Sequence, residues 1–435
     1  MNKIIKEFRV VPFKNMLEAG SLSFTFAIII LILIPLYIWF IPPFMVLWGI
    51  IWILENRKKK IHFHSENRFP VFLFFLFIVF YLWQLVGILY SDDTGTGWNT
   101  FLSRLSLFLF PLVLLIPGEK IKKNGISLLK IFAGSTTLFI IICFGYALYN
   151  SISFQNGVFL FNPHPAKEYW MNYFYGFYFS INQHPSYLAM YVIMSGFISF
   201  ESWFNTSLRM RKRIGWLVNG IFLMISLYFL SSRSGLLAVV VLIPVYLFFK
   251  VYKRKKLITG FAILVLLSIL FFVVRTNERV SIGMGEISKE SFFQRDGRIS
   301  IWESALHTIR HNLILGVGIG DVKTELMKEY QRRGDQNLIE NHYNVHNQYL
   351  EILLENGIIG LTFFLSILVV MFYFAFSERN VLYSLFIIMM VIFFLFETVL
   401  NRLQGVTFFS LFSFLLIHIN NNNQIMPVDI QKQEE

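Results

Sequence analysis

Residues 346–360 have the sequence HNQYLEILLENGIIG, which joins the longest polar stretch of the chain to an apolar segment. Its first residue, His346, carries an imidazole, a group that titrates near neutral pH. Asn347 is a preferred helix N-cap, and Gly357 and Gly360 permit close backbone approach where the helix enters the apolar segment. The pattern predicts a helix entering a membrane with candidate chemistry at its mouth. The alternative is an ordinary re-entry helix with an interfacial histidine.

The composition predicts a membrane protein. Of the 435 residues, 56% are hydrophobic and only 15% are charged, more apolar surface than a water-soluble core can bury. The formal net charge of +12 lies in short basic clusters between apolar runs, as orientation signals do, and nucleic acid is therefore not a predicted partner. The single cysteine, Cys143, excludes disulfides and cysteine-rich metal sites.

Apolar segments predict an all-α, polytopic integral membrane fold. They are long enough to cross a bilayer and predict about twelve transmembrane helices. A tight break near Pro35 and Pro42-Pro43 could make the first two segments one re-entrant unit. The segments lie at residues 21–37, 38–54, 70–90, 99–116, 126–149, 185–203, 214–231, 235–252, 257–275, 357–376, 381–399 and 404–419.

Lys and Arg collect in alternate loops, which predicts that those loops and both termini are cytoplasmic. The predicted layout is a cytoplasmic N-terminus at residues 1–20, transmembrane helices at 21–275, a large periplasmic loop at 276–356, further transmembrane helices at 357–419 and a cytoplasmic tail at 420–435.

The large loop has the pattern of a small helical lid. Ile301, Ala305 and Ile309 recur at helical spacing, and Asp321 is a candidate cap for a second helix. The glycine run at residues 316–320 follows no parallel strand, so a nucleotide site is rejected. We interpret this run as a flexible hinge.

Ser232-Arg233-Ser234-Gly235 lies between two apolar segments at the predicted outer surface. A guanidinium flanked by hydroxyls and by the first amides of a helix is suited to binding phosphate. The alternative is a snorkelling arginine in a tight turn. A lone outer arginine opposes the positive-inside trend, which favours the functional interpretation.

Weaker candidates surround these motifs. Arg298 could start the lid helix and face the site, whereas Arg295 could pair with its neighbouring aspartate on a solvated surface. His184 could donate a hydrogen bond to a substrate, although this helix start and Tyr187 also suit a membrane interface. Polar residues near the outer ends of the last two segments are costly against lipid and are predicted to face the bundle interior: Glu397, Asn401, Arg402 and Gln404.

The second half of the chain resembles the O-antigen ligase and O-antigen polymerase superfamily of bacterial membrane glycosyltransferases. The similarity rests on the predicted layout and on two motifs. The first is SRSGLLA at residues 232–238. The second is His346-Asn347, followed after nine residues by Gly357 and after two more residues by Gly360. The turn and the His-Asn to Gly-x-x-Gly spacing together form a fairly specific pair.

The resemblance implies that a glycan is moved from an undecaprenyl-diphosphate carrier to a lipid A-core sugar at the periplasmic face of the inner membrane. It implies no cofactor, no nucleotide sugar and no required metal. It assigns the role of general base to His346 and diphosphate binding to Arg233 and to one arginine of the loop, for which Arg298 is favoured and Arg295 and Arg310 stay open. Candidate substrate-binding residues are Ser232, Ser234, Arg295, His184, Tyr187, Asn347, Tyr349 and Arg402.

The predicted function is therefore an O-antigen ligase-type glycosyltransferase, with the lipid-linked donor, a glycan acceptor and membrane lipids as partners. A polymerase or a protein O-oligosaccharyltransferase would use the same residues. A transporter of the lipid-linked glycan is disfavoured, because charges are sparse within the apolar segments. The sequence leaves the oligomeric state open.

Overall fold

The structure, a computed structural model, describes residues 21–57, 68–164, 171–181, 183–252 and 298–419. This part of the chain is predominantly helical, as predicted. One antiparallel hairpin, in which β1 (Ile152–Gln155) pairs with β2 (Val158–Phe161), is the exception. Its Asn-Gly turn between apolar residues is a strong hairpin signal, and the all-α prediction overlooked it.

The helices before the hairpin are α1 (Ser21–Leu36), α2 (Ile41–Asn56), α3 (Arg68–Leu89), α4 (Thr94–Ser103), α5 (Ser106–Leu115), α6 (Glu119–Lys123) and α7 (Gly125–Ser151). Those after it are α8 (Gly176–Phe179), α9 (Pro185–Phe204), α10 (Met210–Leu230), α11 (Arg233–Leu247), α12 (Arg298–His311), α13 (Val322–Arg333), α14 (Gln336–Asn341), α15 (Gln348–Ser377), α16 (Val381–Phe396) and α17 (Leu403–Leu415). Short turns lie at Ile38–Phe40, Val399–Asn401, Leu416–His418 and Phe248–Tyr252.

Seven helical stretches of the described residues are long and apolar enough to cross a membrane. They comprise α2 with its preceding turn, α3, α4 with α5, α7, α10, α11 and α15, and three shorter apolar stretches contain α1, α16 and α17. A polytopic helical architecture follows. The number twelve stays a prediction, and the predicted span at residues 257–275 lies outside the described residues.

Helix α9 lies in the interior of the bundle. Every residue from Pro185 to Ser199 is buried, and the helix packs against α7, α10 and α11. Because the helix is enclosed by its neighbours, its first turn is held in a fixed place. That turn carries the His184-Pro185-Ser186 segment into the candidate site.

Helix α15 bends at Gly357, where the sequence predicts entry into the apolar layer. Gly357 has a φ of 64°, and a Cβ atom there would lie 2.1 Å from the carbonyl oxygen of Ile314. The next amide, that of Ile358, donates to the carbonyl of Leu313 at 2.8 Å. Only glycine permits both the left-handed backbone and this close approach.

The glycine run at residues 316–320 is packed against neighbouring backbone, unlike the predicted hinge. The amides of Val317 and Gly318 donate to the carbonyls of Leu354 and Glu355, at 2.8 and 3.0 Å. The run needs glycine because backbone lies directly against it: a Cβ at Gly320 would lie 2.1 Å from the carbonyl oxygen of residue 93. This segment therefore connects α15 to the residues that follow α3.

Residues 298–345, which we call the lid, contain α12, α13 and α14 around a hydrophobic cluster of their own. Ile301, Ala305 and Ile309 lie on the buried face of α12, as their spacing predicts. Asp321 precedes α13 but does not cap it through its side chain. Its carboxylate instead accepts hydrogen bonds from the amides of Asp92 and Asp93, at 2.7 and 2.9 Å, and thereby fastens the lid to the bundle.

Candidate active site

A cleft of about 280 Å³ opens where the starts of α9, α11 and α12 meet the loops before α15 and after α16. It brings together residues that are distant in the chain. The lining residues are Phe177, His184, Pro185, Ser186, Ser231, Ser232, Arg233, Ser234, Arg298, Tyr343, His346, Phe396 and Glu397.

Hydrogen bonds at the residues before and after His346 fix the position of its backbone. The carbonyl of the preceding Val345 accepts a hydrogen bond from the indole of Trp302 at 3.0 Å. The following Asn347 caps α15, since its side-chain oxygen accepts from the amides of Tyr349 and Leu350 at 3.0 and 3.1 Å. Between them His346 has a φ of 51°, a left-handed conformation that histidine adopts more readily than most residues. This conformation points to a functional constraint.

Glu397 is the partner of this histidine. One carboxylate oxygen accepts a hydrogen bond from Ser186 at 2.8 Å, and the other lies 3.6 Å from Nδ1 of His346. Burial tends to raise the pKa of Glu397, but His346, His184 and Ser186 outweigh that effect and lower the pKa. The carboxylate is therefore ionised at neutral pH and faces one nitrogen of the imidazole.

The Ser232-Arg233 turn forms the start of α11. Ser232 caps the helix by accepting a hydrogen bond from the amide of Gly235 at 3.1 Å, and its oxygen lies 3.2 Å from that of Ser234. Arg233 is the first residue of the helix and lines the cleft. Helices α9 and α11 both direct their N-termini at the cleft, and a helix N-terminus attracts anions.

Arg298 begins α12 and lines the same cleft, as predicted for a residue at the start of the lid helix. Its guanidinium carbon lies 5.9 Å from the ring centre of Phe396, within the range of a cation–π interaction. The cleft thus combines two guanidinium groups, two helix N-termini and an imidazole–carboxylate pair. Such a site can bind an anion and accept a proton beside it.

Residues 218–365 match the family model described as O-antigen ligase. This stretch of the chain is similar to the O-antigen ligase family. The family resemblance drawn from the motifs is thereby confirmed, and it indicates a glycosyltransferase of the O-antigen ligase or polymerase type. The match begins in α10 and ends in α15, so it contains Arg233, Arg298 and His346. No curated protein matches the chain.

Some predicted site residues lie outside the cleft. Tyr187 is buried and donates to the carbonyl of Thr398 at 3.2 Å, while Tyr349 donates to the carbonyl of Val391 at 3.3 Å. Arg402 is exposed and is not among the lining residues. Tyr187, Tyr349 and Asn347 make hydrogen bonds that support the structure around the cleft. Arg295 lies outside the described residues.

Behind the cleft lies a buried polar network whose pairings the sequence did not predict. Arg104 donates to both carboxylate oxygens of Glu355 at 2.6 and 2.8 Å, and to Gln84 at 3.1 Å. It also donates to Asn401, which in turn donates to Glu351. Arg104 is fully buried, and the exposed fraction of Glu355 is only 2%.

The network fixes the loop that carries Glu397. Asn401, which binds Arg104, belongs to this loop. In the same loop, the amide of Leu400 donates to the side-chain oxygen of Gln348 at 2.6 Å. The Asn344 amide donates to the hydroxyl of Thr398 at 3.1 Å. The orientation of the carboxylate therefore depends on residues outside the cleft. Among the described residues, no group of three or more His, Cys, Asp or Glu side chains is arranged to hold a metal ion.

Proposed function

We propose that this protein is an O-antigen ligase that transfers a glycan from an undecaprenyl-diphosphate carrier to a hydroxyl of a lipid A-core sugar, at the periplasmic face of the bacterial inner membrane. The observation that carries the proposal is the shared cleft, in which the His346–Glu397 pair lies with Arg233 and Arg298. A diphosphate-linked sugar requires both an anion site and a base for the acceptor.

In the proposed reaction His346 accepts the proton of the acceptor hydroxyl. Its Nδ1 faces Glu397, which leaves Nε2 for the acceptor. The hydroxyl oxygen forms a bond to the anomeric carbon, and the bond between that carbon and the diphosphate oxygen breaks with its electron pair. Glu397, kept ionised by its lowered pKa, orients the imidazole and stabilises the imidazolium that forms.

Arg233 and Arg298 are proposed to bind the diphosphate. A guanidinium offers paired donors at fixed geometry, so it can neutralise the negative charge that accumulates as the carrier leaves. The N-terminus of α11 adds its dipole and the hydroxyls of Ser232 and Ser234 to the same anion site. His184 borders it as a further donor to the glycan.

The same chemistry serves an O-antigen or exopolysaccharide polymerase, and also a protein O-oligosaccharyltransferase, because only the acceptor differs. A transporter of the lipid-linked glycan is a second candidate from another class. The buried Arg104–Glu355 pair favours it, since ionisable residues inside a membrane bundle often mark translocation paths. Two observations oppose transport. Both carboxylate oxygens of Glu355 already accept hydrogen bonds from Arg104, and the cleft lies at one end of the bundle.

A reconstitution experiment distinguishes these candidates. Purified protein in vesicles is supplied with an undecaprenyl-diphosphate-linked glycan and, in separate reactions, a lipid A-core acceptor or a second copy of the donor. Product on lipid A-core supports the ligase, and elongated donor supports the polymerase. Translocation without transfer that survives His346→Ala would support transport and overturn the proposal.

A further inference from the structure

The hairpin of β1 and β2 presents an uncovered apolar face. Its turn consists of Asn156 and Gly157, with φ values of 51° and 77°, as the tight turns that match the strand twist require. The pairing register places Ile152 opposite Phe161 and Phe154 opposite Phe159. Opposed residues and alternate residues share a face, so these four side chains lie together.

This aromatic face, formed by Ile152, Phe154, Phe159 and Phe161, is exposed along its length. Phe154 is 73% exposed, and Phe159 and Phe161 are 55% and 53% exposed. The rings of Phe154 and Phe159 contact each other edge to face, with centroids 5.6 Å apart. The hairpin contains no charged residue. A surface of this kind indicates an apolar partner.

The helix that leads into the hairpin indicates which partner this is. Helix α7 has 27 residues, and the hairpin begins at the next residue. A helix of this length spans about 40 Å, compared with about 30 Å for the hydrocarbon core, so its end lies among the lipid headgroups. Tyr146 and Tyr149, in the last turns of α7, are 39% and 82% exposed. Exposed tyrosines are typical of the membrane–water interface.

We propose that the aromatic face of the hairpin inserts at the boundary between headgroups and acyl chains, as an interfacial lipid contact. The ring of Phe161 lies 6.1 Å from that of Phe174, three positions before Phe177 in the wall of the cleft, so this leaflet is on the side of the cleft. This inference does not depend on the reaction that the cleft performs.

The hairpin also connects to a wall of the cleft. The rings of Phe161 and Phe174 lie 6.1 Å apart, and the amide of Tyr173 donates to the carbonyl of Pro163 at 2.9 Å. The same segment continues into Phe177, which lines the cleft. Lipid contact at the hairpin would therefore steady the side of the cleft that a lipid-linked ligand must approach.

Spin-label depth measurements test this inference. The only cysteine is buried, so Cys143→Ala provides a background for single labels. Phe154→Cys places a label on the aromatic face, and Ser153→Cys places the matched control on the opposite face of the same strand. Phe159→Cys repeats the test on the other strand. The labelled proteins are measured in vesicles of phosphatidylethanolamine and phosphatidylglycerol, with oxygen and a water-soluble nickel complex as relaxers.

We expect labels at positions 154 and 159 to collide with oxygen and to lose collision with the nickel complex, while the label at 153 keeps its nickel collisions. High nickel access at all three positions would overturn the inference, because the hairpin would then lie in water. Protection of 154 and 159 from both relaxers would also overturn it, in favour of a face covered by protein.

Discussion

Nδ1 of His346 lies 3.6 Å from a carboxylate oxygen of Glu397, and these two residues come from separate loops that line the cleft, before α15 and after α16. The pair orients one ring nitrogen toward a carboxylate and leaves the other for the substrate. Catalysis then depends on the charge of Glu397 as well as on the imidazole.

Glu397→Gln preserves the size of the side chain but removes the charge. We expect the transfer rate to fall by about a hundredfold, because a neutral amide neither stabilises an imidazolium nor enforces one tautomer. Single-turnover transfer with saturating donor measures this effect. Glu201→Gln, at a carboxylate that pairs with Lys250 away from the cleft, is the control and should transfer normally. Equal rates for Glu397→Gln and the wild type would refute the orienting role.

The acid limb of the pH–stability profile, measured by thermal denaturation in detergent, tests the same carboxylate. The pKa of Glu397 is lowered, so its ionised form and the stability it contributes are present above its unfolded pKa and are lost only as pH falls through the folded value. Ser186→Ala removes one hydrogen bond that lowers this pKa. We expect its acid limb to move to higher pH than in the wild type. A shift to lower pH would contradict the assignment.

Arg233→Lys keeps one positive charge but loses the two-pronged grip on a diphosphate. The expected loss in transfer rate is about a hundredfold, typical of losing one preorganised donor. Arg211→Lys, at the opposite end of α10, is the matched control. If Arg233→Lys transfers glycan at a near-normal rate, Arg233 does not bind the diphosphate and is only a snorkelling arginine in a tight turn.

Arg298 and Arg310 lie at the two ends of α12, but only Arg298 lines the cleft. Arg298→Ala should therefore weaken binding of the lipid-linked diphosphate and lower transfer by about a hundredfold, while the exposed Arg310→Ala should leave both unchanged. Donor titrations with both variants measure the contrast. Equal losses would show that the lid responds to its overall charge and has no defined anion site.

The Arg104–Glu355 pair should support the fold, because removing one member leaves a buried charge without its partner. Arg104→Met is expected to cost about 3 to 5 kcal/mol of stability. Arg104→Met combined with Glu355→Leu should recover much of that loss. Thermal denaturation in detergent compares them, and a double variant less stable than the single one would contradict this role.

The sequence predicted local features well. Asn347 caps α15, backbone approaches Gly357 closely, and the periodicity of Ile301 and Ala305 matches the buried face of α12. Each of these depends on neighbours within a few positions, where capping and helical spacing act directly.

Pairings between distant segments were not predictable. Glu397 was expected to face the interior, but nothing in the sequence assigns it to His346. Arg104 lies in an apolar segment, and its partner Glu355 is 251 positions away. Aspartate is a typical helix-capping residue, but the carboxylate of Asp321 accepts hydrogen bonds from two amides just after α3. The fold brings those two donors together, and the sequence does not show this.

The central claim is that His346 acts as the base in the cleft that holds the diphosphate, and single-turnover transfer by His346→Ala tests it most directly. With donor binding measured in the same vesicles, we expect binding to be retained and the transfer rate to fall by about 10² to 10⁴-fold, the usual contribution of a positioned base. Transfer at the wild-type rate by His346→Ala, with the donor bound normally, would contradict the account.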